Sequence, residues 1–199
     1  PLLAGVAWAL AARGRARGLT ANAAGLVLST AYLVWGVAAQ QHVDRIARSS
    51  LAAQGIAAER VLVTPTAFNT LLWRVVAMAG DSYHEGYYSL LDAAPRLAFD
   101  RFDRGSALAA ELRGVDGVQR IAAFSQGFYK LQQDGTRVLI SDLRMGQEPA
   151  YIFTFAVAER RSAPVPLAVP EQLGARLDIE RGLPWLWRRL RGEPLPPPR

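Results

Sequence analysis

The chain has 199 residues, 51% of them apolar, and a formal net charge of +6. It contains no cysteine, which excludes disulfide bonds and thiolate metal sites. The positive charge comes almost wholly from dispersed arginines, since Lys130 is the only lysine, and no basic run is interleaved with aromatic residues. This pattern does not favour a nucleic-acid-binding protein, so no nucleic-acid partner is expected.

The first predicted elements are two membrane helices. Residues 1–12 are almost wholly apolar and begin with proline, so we expect them to be the end of a longer helix that starts outside this sequence. Residues 21–39 form an uncharged run of nineteen, long enough to span a hydrocarbon core of roughly 30 Å. Together they predict a transmembrane helical hairpin with a truncated first helix, turned by the basic residues 13–18. The alternative is a buried helix of a large soluble protein.

The arginines near these runs bear on membrane orientation. By the positive-inside rule, the short basic turn at 13–18 favours the cytoplasm and would send the following domain to the periplasm. Arg45, Arg48 and Arg60 lie near the other end and weaken that preference. We expect a multi-pass protein of the bacterial inner membrane, with the periplasm favoured over the cytoplasm for the soluble domain.

The membrane helix is predicted to continue beyond the bilayer. Residues 40–54 keep a helical, amphipathic pattern, and Gly55 is a suitable stop signal. Residues 1–55 are therefore assigned to transmembrane helices and a helical extension.

A soluble domain is predicted over residues 56–160. Residues 60–64 are β-branched and alternating, and Gly80 and Asp81 provide a turn between the strand-like runs 70–79 and 82–92. This spacing indicates an antiparallel hairpin.

The second half of this domain has a similar pattern. Asp134-Gly135 is a strong turn signal between two alternating stretches, and residues 150–160 read as a further strand. Residues 106–126 have apolar side chains at three- and four-residue spacing, which is typical of one or two helices. Strands, then helices, then strands predict an α+β fold with a mostly antiparallel sheet.

The remaining residues, 161–199, are rich in proline and are predicted to be mostly irregular. A short amphipathic helix is expected near residues 183–192. Trp185 and Trp187 lie there beside arginines, a composition typical of an interfacial membrane anchor. A tail helix that packs on its own domain fits equally well, and both interpretations stay open.

Few residues suggest catalysis or metal binding. His42 and His84 are the only histidines and are far apart in sequence, and Glu85 should point to the opposite face of a strand from His84. Ser125 lacks the glycine that precedes the serine of a nucleophile elbow, so it is interpreted as a helix-end residue. No metal ligands are assigned, and the catalytic residues are unknown.

Six residues are candidates for substrate binding or for a structural role: Asn69, Trp73, Arg74, Tyr83, Asp142 and Arg144. Asn69 suits a turn. Arg74 lies in an otherwise apolar strand, where a charge needs a counter-charge or water. We expect Asp142 to be that partner, with Trp73 and Tyr83 nearby. Asp142 could also pair with Arg144, which lies on the same face of a strand end, or the two could hold a charged ligand.

Residues 63–92, VTPTAFNTLLWRVVAMAGDSYHEGYYSLLD, resemble the YdjM-like, LexA-binding family of inner-membrane metal-dependent hydrolases. The later segments FSQGFYKL, ISDLRMG and YIFTFAV are similar to that family's next landmarks in order and spacing. The resemblance covers roughly residues 1–160. It implies a multi-helix membrane half with a histidine motif of the His-Arg-x-x-Thr-His kind, followed by this carboxy-terminal domain.

That histidine motif is absent from this sequence. The divalent metal that the resemblance implies would therefore be held by amino-terminal membrane helices of the same protein, and the other expected partner is the lipid bilayer. Two functions follow. In the first, the soluble domain caps or positions substrate for a membrane-embedded metal hydrolase. In the second, it is a non-catalytic, membrane-tethered interaction or assembly module.

Overall fold

A computed structural model of the protein describes residues 15–160, 163–174 and 178–199. The chain divides into two compact units, Pro1–Arg45 and Ile46–Arg199, which we consider separately.

The first described element is one long helix, α1 (Arg15–Ala53). Its segment Asn22–Ala53 is long and apolar enough to cross a membrane, and large apolar side chains such as Leu33 and Val34 are exposed on it. Gly55, with a φ of +69°, follows the end of the helix as predicted. Glycine reaches this left-handed conformation without the strain that a Cβ would cause.

The predicted transmembrane hairpin is not shown. The helix already begins at Arg15, so residues 15–18 are helical where the sequence indicated part of a turn. Arginine and alanine are good helix formers, and a single glycine costs a long helix only about 1 kcal/mol. Residues 1–12, the expected first helix, lie outside the described residues.

The first sheet contains four antiparallel strands in the order β1 (Arg60–Pro65), β2 (Leu72–Ala79), β3 (Ser82–Ser89) and β4 (Asp100–Asp103). The predicted hairpin over residues 70–91 is confirmed. Ala79 pairs with Ser82 across the turn. Gly80 has a φ of +55°, the conformation that a tight hairpin turn requires.

Two helices separate the sheets, as predicted: α2 (Ser106–Glu111) and α3 (Asp116–Phe124). Ser125 lies at the end of α3, again as predicted, and its hydroxyl donates a hydrogen bond to the carbonyl of Ala122. The α+β architecture with antiparallel sheets is confirmed.

The second sheet has the order β10-β9-β6-β5, with β5 (Tyr129–Asp134), β6 (Arg137–Asp142), β9 (Thr154–Arg160) and β10 (Pro164–Leu173). The Asp134-Gly135 hairpin and the strand within residues 150–160 are confirmed. A small hairpin of β7 (Gly146–Gln147) and β8 (Ala150–Tyr151) comes between β6 and β9.

The prediction of a mostly irregular tail is wrong for residues 164–173. These form β10, which pairs with β9 at the edge of the second sheet. The ladder is irregular between Pro166 and Glu171, which lets the strand accommodate Pro170. Proline is tolerated at sheet edges and bulges because its missing N–H is not needed there.

The predicted tail helix is present as α4 (Ile179–Leu190) and packs on its own domain. Trp185 is buried beside Leu72 and Tyr87, and its ring meets that of Tyr87 edge-on at 5.0 Å. Arg189 lies 2.5 Å from the Asp92 carboxylate and also donates to the Tyr87 carbonyl at 2.8 Å. The packing interpretation is therefore confirmed for this face of the helix.

Trp185→Ala should lower the free energy of unfolding by about 3 kcal/mol, since a large buried ring is replaced by a cavity. Trp187→Ala is the matched control, because Trp187 is 57% exposed and its loss should cost less than about 0.5 kcal/mol. Urea unfolding of the detergent-solubilised chain, followed by circular dichroism, measures both. Equal losses for the two variants would contradict the packing described for α4.

Candidate functional site

One face of the β2–β3 hairpin presents both charged and aromatic side chains. The register pairs Arg74 with Tyr87, Val76 with Glu85, and Met78 with Tyr83. Residues directly opposite each other in an antiparallel pair share a face. The Glu85 carboxylate and the Arg74 guanidinium therefore lie side by side on a sheet face that is otherwise apolar.

Arg74 and Glu85 form a buried ion pair on this face. Arg74 Nε donates to Glu85 Oε2 at 2.8 Å, and Arg74 Nη2 donates to the same oxygen. The remaining nitrogen, Nη1, donates to the carbonyl of Leu143 at 2.7 Å. The two side chains are 5% and 1% exposed. The need for a counter-charge is confirmed.

The prediction that Asp142 is the partner of Arg74 is wrong. Asp142 instead accepts hydrogen bonds from Arg144 Nε at 3.0 Å and Nη2 at 2.7 Å, the other pairing considered from the sequence. Glu85 is the diagonal cross-strand neighbour of Arg74, whereas Asp142 lies at the end of a strand in the second sheet. The Gly80-Asp81 turn fixes the hairpin register, so this pairing could have been read from the sequence.

Tyrosine hydroxyls surround the Arg74–Glu85 pair. Tyr87 donates to Glu85 Oε1 at 3.3 Å, and Tyr151 donates to Glu85 Oε2 at 3.4 Å. Burial raises the pKa of Tyr87 and of Tyr151 above the usual value, and the negative charge of Glu85 raises both further. Burial alone would lower the pKa of Arg74, but the charge and hydrogen bond of Glu85, together with Tyr151 and Tyr87, outweigh burial, so the net shift of the pKa is upward.

A second ion pair lies beside the first. Lys130 Nζ on β5 is 2.8 Å from both carboxylate oxygens of Glu148, in the turn of the β7–β8 hairpin. Tyr83 donates its hydroxyl to Glu148. Burial, and then the hydrogen bond to Glu148, raise the pKa of Tyr83 above its usual value. The backbone N–H of Glu148 donates to Glu85 Oε1 at 3.4 Å, which joins the two ion pairs into one network.

The β7–β8 hairpin that supplies Glu148 depends on a close backbone approach at Gly146. A Cβ there would lie 2.5 Å from the carbonyl oxygen of Ala150, and the φ of Gly146 is +120°. A side chain at this position would push the two short strands apart. Glycine therefore allows the turn to hold Glu148 against Lys130.

Lys130, Glu148 and Tyr83 line a cavity of about 410 Å³. Its other walls come from β4, α2 and β5: Phe102, Asp103, Gly105, Ser106, Ala107, Leu108, Leu131, Gln132 and Gln133. The Tyr83 and Phe102 rings stack at 5.2 Å. One end of the ion-pair network therefore borders a cavity that is large enough to hold a small organic group.

The charges of this network decide what the cavity can bind. Arg74 and Lys130 are balanced by Glu85 and Glu148, so the buried charges sum to zero. In the cavity wall, the Lys130 ammonium, the Glu148 carboxylate and the side-chain amides of Gln132 and Gln133 offer both hydrogen-bond donors and acceptors. The Tyr83 hydroxyl donates its hydrogen to Glu148 and can accept a hydrogen bond from a ligand. Asp103 adds a carboxylate to the cavity wall, so the cavity suits a neutral polar group, such as an ester, amide or hydroxyl, better than an anion.

The other predicted site residues have local structural contacts. Asn69 Oδ1 accepts from the backbone N–H of Leu71 at 3.0 Å and of Leu72 at 2.7 Å, which confirms its turn position. Trp73 lies on the opposite face of β2 from Arg74, because neighbouring strand residues alternate, so the prediction that its ring is near Arg74 is wrong. Tyr83 does share the Arg74 face.

Sequence reasoning missed five members of the network: Glu85, Tyr87, Lys130, Glu148 and Tyr151. One signal was present, since Lys130 is the only lysine in an arginine-rich chain. Lysine's compact ammonium and arginine's planar fork are not interchangeable, so the lone lysine was a reason to examine this position. Glu148 had no such signal, because its position depends on the β7–β8 hairpin.

The described residues do not fit a divalent metal. In the described ranges, no group of three or more histidines, cysteines or carboxylates could hold a metal ion. Glu85 and Glu148 are each engaged by a cation, which would compete with a metal. His84 and Glu85 point to opposite faces of β3, as expected. Burial and the charge of Arg101 lower the pKa of His84.

Arg74→Met should destabilise the domain by about 3–5 kcal/mol, because Glu85 would be left as an uncompensated buried charge. The double variant Arg74→Met/Glu85→Met should recover much of that loss, since neither charge then remains buried alone. Denaturant unfolding of both variants measures the difference. A single variant as stable as the wild type would mean that water or another cation replaces Arg74.

The free energy of unfolding of the domain should fall at alkaline pH. Tyr83, Tyr87, Tyr88 and Tyr151 all have a raised pKa in the folded chain. Unfolded tyrosines ionise near their usual value of about 10, so above that pH the unfolded state binds fewer protons and the free energy of unfolding falls. Below it the contribution is constant. Unfolding measured against pH should show this decline, and Tyr83→Phe should make the slope shallower. An unchanged slope would contradict the raised pKa of Tyr83.

Comparisons with known proteins found no match: no family model, no curated protein and no solved structure matches the chain. The resemblance to the YdjM-like family therefore rests on the sequence segments alone and stays a hypothesis.

Proposed function

We propose that residues 46–199 form the substrate-positioning domain of a membrane-anchored hydrolase of the YdjM-like kind. In this proposal the metal is held by amino-terminal membrane helices outside this sequence. The domain receives the polar part of the substrate in the 410 Å³ cavity. Lys130 donates to a substrate oxygen, and Glu148 and Tyr83 hold the ammonium and the substrate in place.

The observation that carries this proposal is the buried Lys130–Glu148–Tyr83 cluster at the wall of the cavity. Replacing a buried ion pair by apolar residues is often neutral or stabilising, so stability alone gives little reason for two adjacent pairs. Buried charges that border a cavity are more typical of binding and catalytic sites. The zero net charge of the cluster favours a neutral substrate group over a strongly charged one.

Membrane anchoring is supported by α1. Its segment Asn22–Ala53 has the length and apolarity of a membrane span, and most of its large apolar side chains are exposed. We further propose that the protein is a multi-pass protein of the bacterial inner membrane with the soluble domain in the periplasm. The basic residues before the span support that orientation through the positive-inside rule.

A second candidate function is a non-catalytic, membrane-tethered interaction or assembly module. It is favoured by the internal pairing of every charge in the network and by the lack of a metal-ligand group within the described ranges. In this case Arg74, Glu85, Lys130 and Glu148 only hold the two sheets and the β7–β8 hairpin together. The two functions differ in one requirement. Substrate positioning needs the cavity to be accessible to a ligand, whereas the assembly module does not.

Lys130→Met tests the proposed function in the complete protein, including its amino-terminal membrane helices. Hydrolysis of carboxylic esters and phosphoesters is measured in detergent with an added divalent metal. We expect the wild type to be active and Lys130→Met to raise KM by roughly tenfold with a smaller change in kcat, the pattern of lost substrate binding.

Arg137→Gln is the matched control, since Arg137 forms an exposed ion pair with Glu171 in the second sheet. It should leave the kinetics unchanged. An inactive wild type would favour the assembly module. An active enzyme whose KM is unaffected by Lys130→Met, with an unchanged unfolding midpoint, would show that the substrate does not use this cavity.

A further inference from the structure

Helix α4 is apolar on its outer side as well as its inner side. Ile179, Leu183 and Trp187 are 63%, 57% and 57% exposed, although each is a large apolar residue. Their spacing of four places them in one stripe along the helix. Trp185 and Arg189 face inward, whereas the stripe lies on a more exposed side of the helix, where Ile179 and Leu183 border a cavity that Trp185 also lines.

A further exposed apolar residue comes from a neighbouring turn. Phe68, in the turn between β1 and β2, is fully exposed and has a φ of +62°. Its neighbour Ala67 lines the same cavity of about 300 Å³ as Ile179 and Leu183. The turn and the helix therefore present their apolar side chains on one surface, which we call the α4 face: Phe68, Ile179, Leu183 and Trp187.

The turn that holds Phe68 is closed by side-chain hydrogen bonds. Asn69 Nδ2 donates to Thr66 Oγ1 at 2.8 Å, and Thr66 Oγ1 in turn donates to the Leu72 carbonyl at 3.1 Å. A positive φ is uncommon for a bulky aromatic residue and costs on the order of 1 kcal/mol or more. These hydrogen bonds close the turn in which Phe68 has this conformation and is fully exposed.

Arginines border the α4 face. Arg191 lies 4.5 Å above the ring of Trp187. Arg188 pairs with Glu193 at 2.7 Å, and Arg181 lies 3.5 Å from Asp178. Because acidic partners accompany these arginines, electrostatic attraction to an anionic surface should be modest. Tryptophan and aliphatic side chains next to arginine are the composition of a helix that lies in the interfacial layer of a membrane.

We propose that the α4 face docks on the interfacial layer of the bilayer in which the chain is anchored. The inference rests on the membrane anchoring in the proposed function. Because α1 would tether the domain to that bilayer, the effective lipid concentration is high and a small contact suffices. A stable dimer needs roughly 1,000 Å² of buried surface, more than four side chains along about 12 Å of helix supply.

Site-directed spin labelling of the full 199-residue chain tests this docking. The chain has no cysteine, so Leu183→Cys gives a unique attachment site. The chain is reconstituted in phosphatidylethanolamine and phosphatidylglycerol vesicles, and collisions with oxygen and with a water-soluble nickel complex are measured. Thr136→Cys, at the exposed β5–β6 turn, is the aqueous control.

We expect the label at position 183 to be several-fold less accessible to nickel than the label at 136, and more accessible to oxygen. Adding Phe68→Ser should restore much of the nickel accessibility at 183. Equal nickel accessibility at 183 and 136 would overturn the proposal. So would spin–spin broadening at 183 that disappears on dilution with unlabelled chain, because it would identify a second copy as the occupant.

A label at Val34→Cys separates this inference from its premise, since Val34 is exposed on α1. Lipid exposure at 34 together with water exposure at 183 would overturn the docking alone. Water exposure at both positions would overturn the anchoring as well.

Discussion

The buried pair of Arg74 and Glu85 is the interaction on which the rest of residues 46–199 depends. A charge in an apolar sheet face is stable only if every polar atom around it is satisfied. Glu85 provides the counter-charge, Leu143 provides a carbonyl, and Tyr87 and Tyr151 provide hydroxyls. Among the described residues, no buried side-chain nitrogen or oxygen lacks a hydrogen-bond partner.

This requirement explains the position of the β7–β8 hairpin. Tyr151 on β8 contacts the first ion pair, and the backbone of Glu148 donates to Glu85. The Glu148 side chain then reaches Lys130 on the second sheet. The hairpin therefore links the polar face of the first sheet to the wall of the cavity. Loss of the first ion pair would affect the cavity through these contacts, because the hydrogen bonds are continuous.

Both units expose large apolar side chains. In the first unit, the helix exposes side chains such as Leu33 that water solvates poorly. In the second, the α4 face exposes Phe68 and Trp187 while Trp185 is buried. Contiguous exposed apolar patches are uncommon on soluble monomers and usually mark an interaction surface.

Local patterns in the sequence were enough to predict the elements that depend only on neighbouring residues. Period-two alternation and glycine turns predicted the β2–β3 and β5–β6 hairpins, Gly55 predicted the end of α1, and the uncharged run 21–39 predicted a long apolar helix. The partner of a buried charge can lie far away in the sequence, where local patterns do not identify it. Lys130 and Glu148 meet only because the β7–β8 hairpin folds back over the sheets, and Trp185 is buried where Trp187 is not because α4 docks by one face. Alternation specifies which side chains share a face, whereas the packing of two sheets and a helix decides which faces meet.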